Sequence, residues 1–182
     1  MAARKVTKAA TTGLASAGLA YGAWRLWGDR LDGVWTRLFG EPDLGPVDFG
    51  SLRRPKVPNN ALAAPPSVCG HARADIIPPD FDVSAARLRA IVAEVAAEEP
   101  NTELVHADPK NEQDRYVVRS RVLRFPDTVD VKVIDRGAGR STLAIYSRSQ
   151  VGKADFGVNR KRLRRWIDRI GEKAEQEAPN GT

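Results

Sequence analysis

Arg119, Arg121, Lys132 and Arg148, with Tyr146 among them, recur at alternating positions of three β-patterned runs. Side chains of a strand point to opposite faces in turn. The runs Arg115–Phe125, Thr128–Asp135 and Ser141–Ser149 therefore put Val129, Val131, Val133, Leu143 and Ile145 on one side and the cations on the other. A guanidinium offers a planar fork matched to carboxylate or phosphate, so a surplus of them on one face suits an anionic ligand. Asp130 is the one acid on that face. The loop Gly152–Asn159 then delivers a helix N-terminus with unpaired N–H groups, followed by Arg160. The candidate anion patch is Arg119, Arg121, Lys132, Tyr146, Arg148 and Arg160, with Ser147, Ser149, Asp155 and Asn159 as hydrogen-bonding partners. The competing reading ties Arg119 and Arg148 to Asp127, Asp130 or Asp155 within the protein, as surface cations commonly are.

Nothing in the sequence names a reaction. Neither GxSxG, nor HExxH, nor a phosphate-binding loop occurs. Gly137-x-Gly139 reads as a turn, and Asp155-Phe156-Gly157 resembles a kinase element without that fold's other parts. His106, Asp108, Glu112 and Asp114 share one polar loop. With a single cysteine, Cys69, and two histidines, His71 and His106, the chain has no intrachain disulfide and no multi-thiolate metal site. Cys69-x-His71 is a pair of ligands at most. No cofactor and no metal are expected, and an enzyme would have to assemble its site in three dimensions, from the Arg/Ser/Asp cluster around residues 147–160.

The elements that position these residues follow from periodicity. Ser84 is a good N-cap, and Leu88, Ile91, Val92, Val95 and Ala96 recur at helical spacing until Pro100. A short strand, Thr102–His106, precedes the three runs. A tight hairpin at Pro126-Asp127 would pair Val122 with Val131 and Arg121 with Lys132, keeping both apolar faces together. The connection through Gly137-Ala138-Gly139 joins the next pair. The last element, about Asp155 to Glu175, carries Leu163, Trp166, Ile167 and Ile170 on one stripe, with Asp155 or Asn159 as cap. The expected architecture is α+β: a two-layer sandwich of a four-stranded antiparallel sheet with two helices on one face, over residues 80–172, with a disordered tail at 173–182.

Two further segments precede that domain. Residues 1–40 open with Arg4, Lys5 and Lys8, followed by sixteen uncharged residues, Ala9–Trp24. This run is short for a span and fits either a weak membrane helix or a cleaved signal peptide. Beyond it, Trp24, Trp27, Leu31, Val34, Trp35 and Leu38 fall within an arc of about 100° on a helix. Trp24, Trp27, Leu31, Trp35 and Leu38 thus suit a membrane interface, and the pair of features favours an anchor with an amphipathic continuation. The same stripe would also pack on a domain or partner helix. Three cations stand on each side of the run, so charge does not orient it. Residues 41–79 hold eight of the twelve prolines and read as an extended linker.

RSRVLRFPD (Arg119–Asp127) and YSRSQVGKADFGVNRKRL (Tyr146–Leu163) resemble the signature of the domain of unknown function 1499 family. GPVDF and LRRPKVPNNALAAPP resemble the lead-in of its membrane-anchored bacterial members. The resemblance implies a bacterial envelope-type protein with an N-terminal apolar segment; the expected placement is a single N-terminal anchor in the inner membrane with the domain in the periplasm. It also implies that Ala64 stands where relatives carry the first cysteine of a pair, leaving Cys69 alone.

The net charge is +6, from 29 Lys and Arg against 23 Asp and Glu. The stretch NRKRLRRWIDR is the strongest nucleic-acid lookalike, but its apolar stripe is needed for the core and aromatics are not interleaved with its charge. The expectation is a membrane-tethered binding or accessory module of the bacterial envelope. Membrane lipid, an envelope protein, or an anionic small molecule or glycan are its expected partners. The alternative is a hydrolase or transferase acting through residues 147–160.

Overall fold

The computed structural model describes residues 27–28, 30–152 and 155–177. The chain divides into two compact units, Met1–Gly40 and Glu41–Thr182. In the first, residues 27–28 and 30–39 are helical, and 30–39 is labelled α1. Trp35 and Phe39, one turn apart, hold their ring centroids 5.9 Å apart. Gly40, at φ 83°, ends the helix by donating to the Thr36 carbonyl. Trp27, Leu31, Trp35 and Leu38 lie on these helical residues; Trp24 and the run Ala9–Trp24 lie outside the described ones. Among the described residues, no helix is long and apolar enough to cross a membrane.

The second unit contains β1 (Asn60–Ala63), α2 (Ala85–Glu98), β2 (Thr102–Asp108), β3 (Gln113–Arg119), β4 (Pro126–Gly137), β5 (Arg140–Ser149) and α3 (Val158–Glu177). The class is α+β as expected, but the antiparallel sheet has five strands, in the order β1-β5-β4-β3-β2. The added strand comes from the segment read as a linker. Its prolines do forbid a ladder, yet Pro58 and Pro65 bracket a proline-free window, and β1 fits inside it as an edge strand on β5.

The first hairpin differs from expectation. β3 stops at Arg119, opposite Pro126, so Val131 faces Asp114 rather than Val122, and Lys132 faces Gln113 rather than Arg121. Residues 120–125 instead form a connecting loop. The Ser120 and Phe125 backbones bond through the Ser120 N–H, the Ser120 hydroxyl accepts from the Phe125 amide, and Arg124 is left-handed at φ 58°. The slip is an even number of residues, so every side chain keeps its face. The second hairpin has the expected register, with Val131 on Ile145 and Val133 on Leu143.

Both helices cover one face. Leu88, Ile91, Val92 and Val95 of α2 and Leu163, Trp166 and Ile170 of α3 pack on Tyr116, Val118, Val129, Val131, Leu143 and Ile145. The Ser84 side chain caps α2 by accepting from the Arg87 amide. α3 runs through Glu177, so a domain end at residue 172 would cut it. Its last turns pair with α2: Lys173 lies 3.2 Å from Glu94 and 3.1 Å from Glu98, and Arg87 bonds Glu177. Arg165 on Glu99 and Arg169 on Glu98 likewise neutralise two cations of the basic stretch.

The other face is covered too. Residues 42–52 cross it as a strap, and Phe49 and Leu52 pack with Leu62, Ala64, Cys69, Ala144 and Tyr146 in a second apolar cluster. Phe49 is only 2% exposed. If the strap belongs to the folded unit, Phe49→Ala lowers unfolding free energy by about 3–5 kcal/mol, the usual cost of emptying a buried phenyl site. Urea unfolding of the two proteins checks this; a change below about 1 kcal/mol would return the segment to the status of a linker.

Candidate functional site

The face that carries the cations is closed by the strap, and the cations hold the strap down. Arg115 grips Asp43 with two bonds, of 2.6 and 2.9 Å. The Leu44 amide donates to the Thr128 hydroxyl, which itself donates to the Pro42 carbonyl. Arg148 donates to the Gly45 carbonyl, lies 3.3 Å from Asp130 and stacks 5.7 Å from the Tyr146 ring centroid. Gln113 donates to the Val47 carbonyl. A proline-containing strap outside any ladder must find partners for its backbone, and this face supplies them. Asp130 sits fully buried beneath it, attended by the Val47 amide and Arg148, with its Oδ1 unpartnered. Burial pushes its carboxyl up to about 6, against the pull of Arg148 and Arg115. Asp43 moves the other way: the Arg115 bonds and the Gly45 amide outweigh its burial and hold its carboxyl below the ordinary value.

The helix face ends in a buried polar network. Arg162, 4% exposed, donates to Asp127 Oδ2 at 2.7 Å, Ser147 Oγ at 2.9 Å and Asn159 Oδ1 at 2.8 Å. Ser147 also bonds Asn159 Oδ1. The Asn159 amide group donates to Ser149 Oγ at 2.9 Å and to the Asn59 carbonyl at 3.1 Å. Asp155 caps α3, accepting from the Gly157 and Asn159 amides. Ser147 has no nucleophile's environment: its partners are an amide oxygen and a guanidinium, neither of which takes a proton.

Beside this network opens a cleft of about 300 Å³. Ser120, Phe125 and Asp127 form one wall; Ser149, Val151, Gly152, Asp155, Phe156 and Val158 form the other. Its loops follow β3 and β5, which leave the sheet at the same end because Asp127 faces Ser149. Non-glycine residues with positive φ gather here: Arg124 at 58°, Phe156 at 51°, and neighbouring Asn101 at 59°, whose side chain accepts from Arg124. Such conformations are costly and tend to mark functional loops.

The structure thus divides the expected anion patch. Tyr146, Arg148, Lys132 and Arg119 lie on the strap face, Arg119 paired with Glu103 at 3.1 Å. Ser147, Ser149 and Asn159 meet on the helix face, with Asp155 at its edge; Arg121 and Arg160 stand exposed and apart. The internal pairing of Arg148 with Asp130 is present, while that of Arg119 goes to Glu103 instead. Asp127, Arg162, Ser120 and Phe125 were missed. Asn159 and Arg162 extend the Leu163–Trp166 stripe by one turn, and that spacing was the available signal. Ala64 and Cys69 line one hollow with His71 and Arg73. Among the described residues, no three His, Cys, Asp or Glu side chains group as metal ligands.

The family described as "Protein of unknown function (DUF1499)" matches residues 55–170, and the chain belongs to it. No curated protein matches the sequence. Among solved structures, the di-domain ARO/CYC BexL from the BE-7585A biosynthetic pathway is similar with a TM-score of 0.43 at 12% identity, over 58% of this chain and 47% of that one. The chain thus spans about half of that protein's length. A START superfamily protein from Mycobacterium smegmatis gives a TM-score of 0.36 at 11% identity, over 55% of this chain and 95% of its own. Both scores lie below the level of a shared fold.

Two outcomes follow from the buried charges. Between the ordinary carboxyl value near 3.8 and about 6, folded Asp130 keeps a proton that the unfolded chain has lost. Its contribution to stability therefore falls as pH rises through that window, by on the order of 2–3 kcal/mol. Asp130→Asn removes this decline, seen as a flatter stability profile from pH 4 to 6; parallel profiles would refute the assignment. Arg162→Met strands Asp127 and costs about 3–5 kcal/mol. Asp127→Leu combined with Arg162→Met recovers part of it, so the double-mutant cycle shows coupling; additive losses would not.

Proposed function

We propose that this DUF1499 chain is a membrane-tethered, non-catalytic binding module whose recognition site is the loop-bounded cleft rather than the Arg-rich sheet face. The tether rests on the uncharged run Ala9–Trp24 and the tryptophan stripe that follows. Placement of the domain in the periplasm rests on the lead-in resemblance. The cleft carries the rest of the reading. Its two loops, held in left-handed conformations at Arg124 and Phe156, are the two segments that bear the family signature.

The lining sets the ligand's chemistry. Phe125, Val151, Phe156 and Val158 offer an apolar wall, while Ser120, Ser149, Asp127 and Asp155 offer hydroxyls and carboxylates. Among the described residues, no lysine or arginine lines it. Asp127 is held by Arg162 and Asp155 by the Gly157 and Asn159 amides, and with the two serine hydroxyls their remaining lone pairs suit a small amphipathic molecule ending in a hydroxyl or amine. The Arg-rich sheet face does not compete for this role, because its cations are engaged with Asp43, Gly45, Glu103 and Asp130. The hydrolase or transferase reading lacks a proton acceptor beside Ser147.

Octanol, octylamine and octanoate, matched in chain length, test this reading by thermal unfolding. Octanol and octylamine raise Tm in a saturable way while octanoate does not, and Val151→Trp, which fills the cleft, abolishes the rise. A rise with octanoate alone, or one unaffected by Val151→Trp, would move the site elsewhere.

A further inference from the structure

We infer that the loop end of the domain is a contact surface for an anionic lipid bilayer, with Phe156 and the Val122-Leu123 tip entering the interface. Three segments leave the sheet at this end. Residues 55–59 enter β1, whose Asn60 pairs with Arg148; residues 120–125 join β3 to β4; residues 150–157 lead into α3. They are bonded together: the Ser149 amide to the Asn59 carbonyl, the Gln150 amide to Pro126, the Asp155 amide to Pro58, and the Asn59 side chain to Gly152.

Their tips are apolar and open. Phe156 is 92% exposed, Val122 65%, Leu123 51% and Val158 49%. An almost bare phenyl ring, held at φ 51° between Asp155's cap and Gly157, lies outside both apolar clusters of the described residues and so is not core material. Aromatic and branched side chains on rigid tips suit the boundary between headgroups and acyl chains.

The charge around them selects the sign of the surface. Lys56, Arg121, Arg160 and Lys161 are exposed on the same segments and the first turn of α3. Among the described residues 55–59, 120–125, 150–152 and 155–161, Asp155 is the sole acid, and both its oxygens are taken by amides of the helix start. Apolar tips ringed by cations match an anionic leaflet, where phosphates meet the cations and the tips pass between them. The opposite end differs. Its β2–β3 turn, residues 109–112, carries Pro109, Lys110, Asn111 and Glu112, with no apolar aromatic or branched side chain apart from the proline ring.

The surface shares Phe156 and Val158 with the cleft but does not rest on that reading, since exposure and charge alone carry it. The test places an environment-sensitive nitrobenzoxadiazole probe on Val122→Cys in the full chain, with Cys69→Ala to leave one thiol. A second protein carries the probe at Lys110→Cys. Because the probe reports its own surroundings, insertion of the N-terminal run into vesicles does not mimic the result. With vesicles of phosphatidylcholine and phosphatidylglycerol, the probe at position 122 brightens several-fold and its emission moves to the blue. High salt reduces the effect, and Phe156→Ser weakens it. The probe at position 110 stays unchanged. Equal responses at both positions, or at position 122 with pure phosphatidylcholine, would overturn the inference. So would a shift without vesicles that grows with protein concentration, which would assign the tips to a second copy of the chain. A failed alkanol shift with a positive vesicle result would sink the cleft reading alone.

Discussion

The buried guanidinium of Arg162 is the interaction on which this architecture turns. Taking that charge out of water costs several kcal/mol, and its three bonds, to a carboxylate, a hydroxyl and an amide oxygen, must compensate while its Nε stays unpartnered. Those partners come from β4, β5 and α3, and Asn159 extends the network to the residue preceding β1. The loops that bound the cleft spring from Asp127 and Ser149, which are themselves members of the network, so their geometry is inherited from it. A site on loops is as well defined as whatever anchors their stems, and here the stems are tied to a charge that tolerates no looseness.

The second constraint is that β4 and β5 lie in the middle of a sheet covered on both sides. On the helix side the cover is apolar and the strands answer with valine, leucine and isoleucine. On the strap side the cover is an irregular backbone, and the strands answer with Thr128, Asp130, Tyr146 and Arg148. The polar residues of this face are there because a peptide chain without a ladder partner lies on them. Asp130 is the strained point of the arrangement. It is a carboxylate whose neighbours stabilise its charge less than burial penalises it.

Much of this was legible in the sequence. Helix α2 and its Ser84 cap, the Leu163–Trp166–Ile170 stripe and the faces of β4 and β5 follow from local periodicity, because each depends on residues within a few positions of one another. The first hairpin was misplaced because Val122 and Leu123 continue the strand pattern while Ser120 and Arg124 break it through backbone conformations that apolar alternation does not encode. The Arg-rich face is legible in the sequence as a face, with internal pairing as one of its two readings, but the strap that covers it is not. Its partners, Asp43 and the Gly45 carbonyl, lie 72 and 103 residues away in sequence. One of them is a backbone atom that every residue carries, so no composition argument could have singled it out. Of the candidate site, Ser149 and Asp155 were named, whereas Asp127 and Phe125 were hidden in what looked like a turn.

The position of the strap in the chain has a consequence for how the protein comes to be made. Residues 42–63 leave the ribosome first, yet their partners on β3, β4 and β5 are synthesised some 70 to 100 residues later. Helix α2 and the β2–β5 meander are local and assemble as they emerge. Until β1 is laid against it, β5 is an unprotected edge, and Tyr146 and Ala144 on its outer face are uncovered. The strap can therefore close only after β5 is made, and until then the outer edge of β5 is open to pairing with a neighbour.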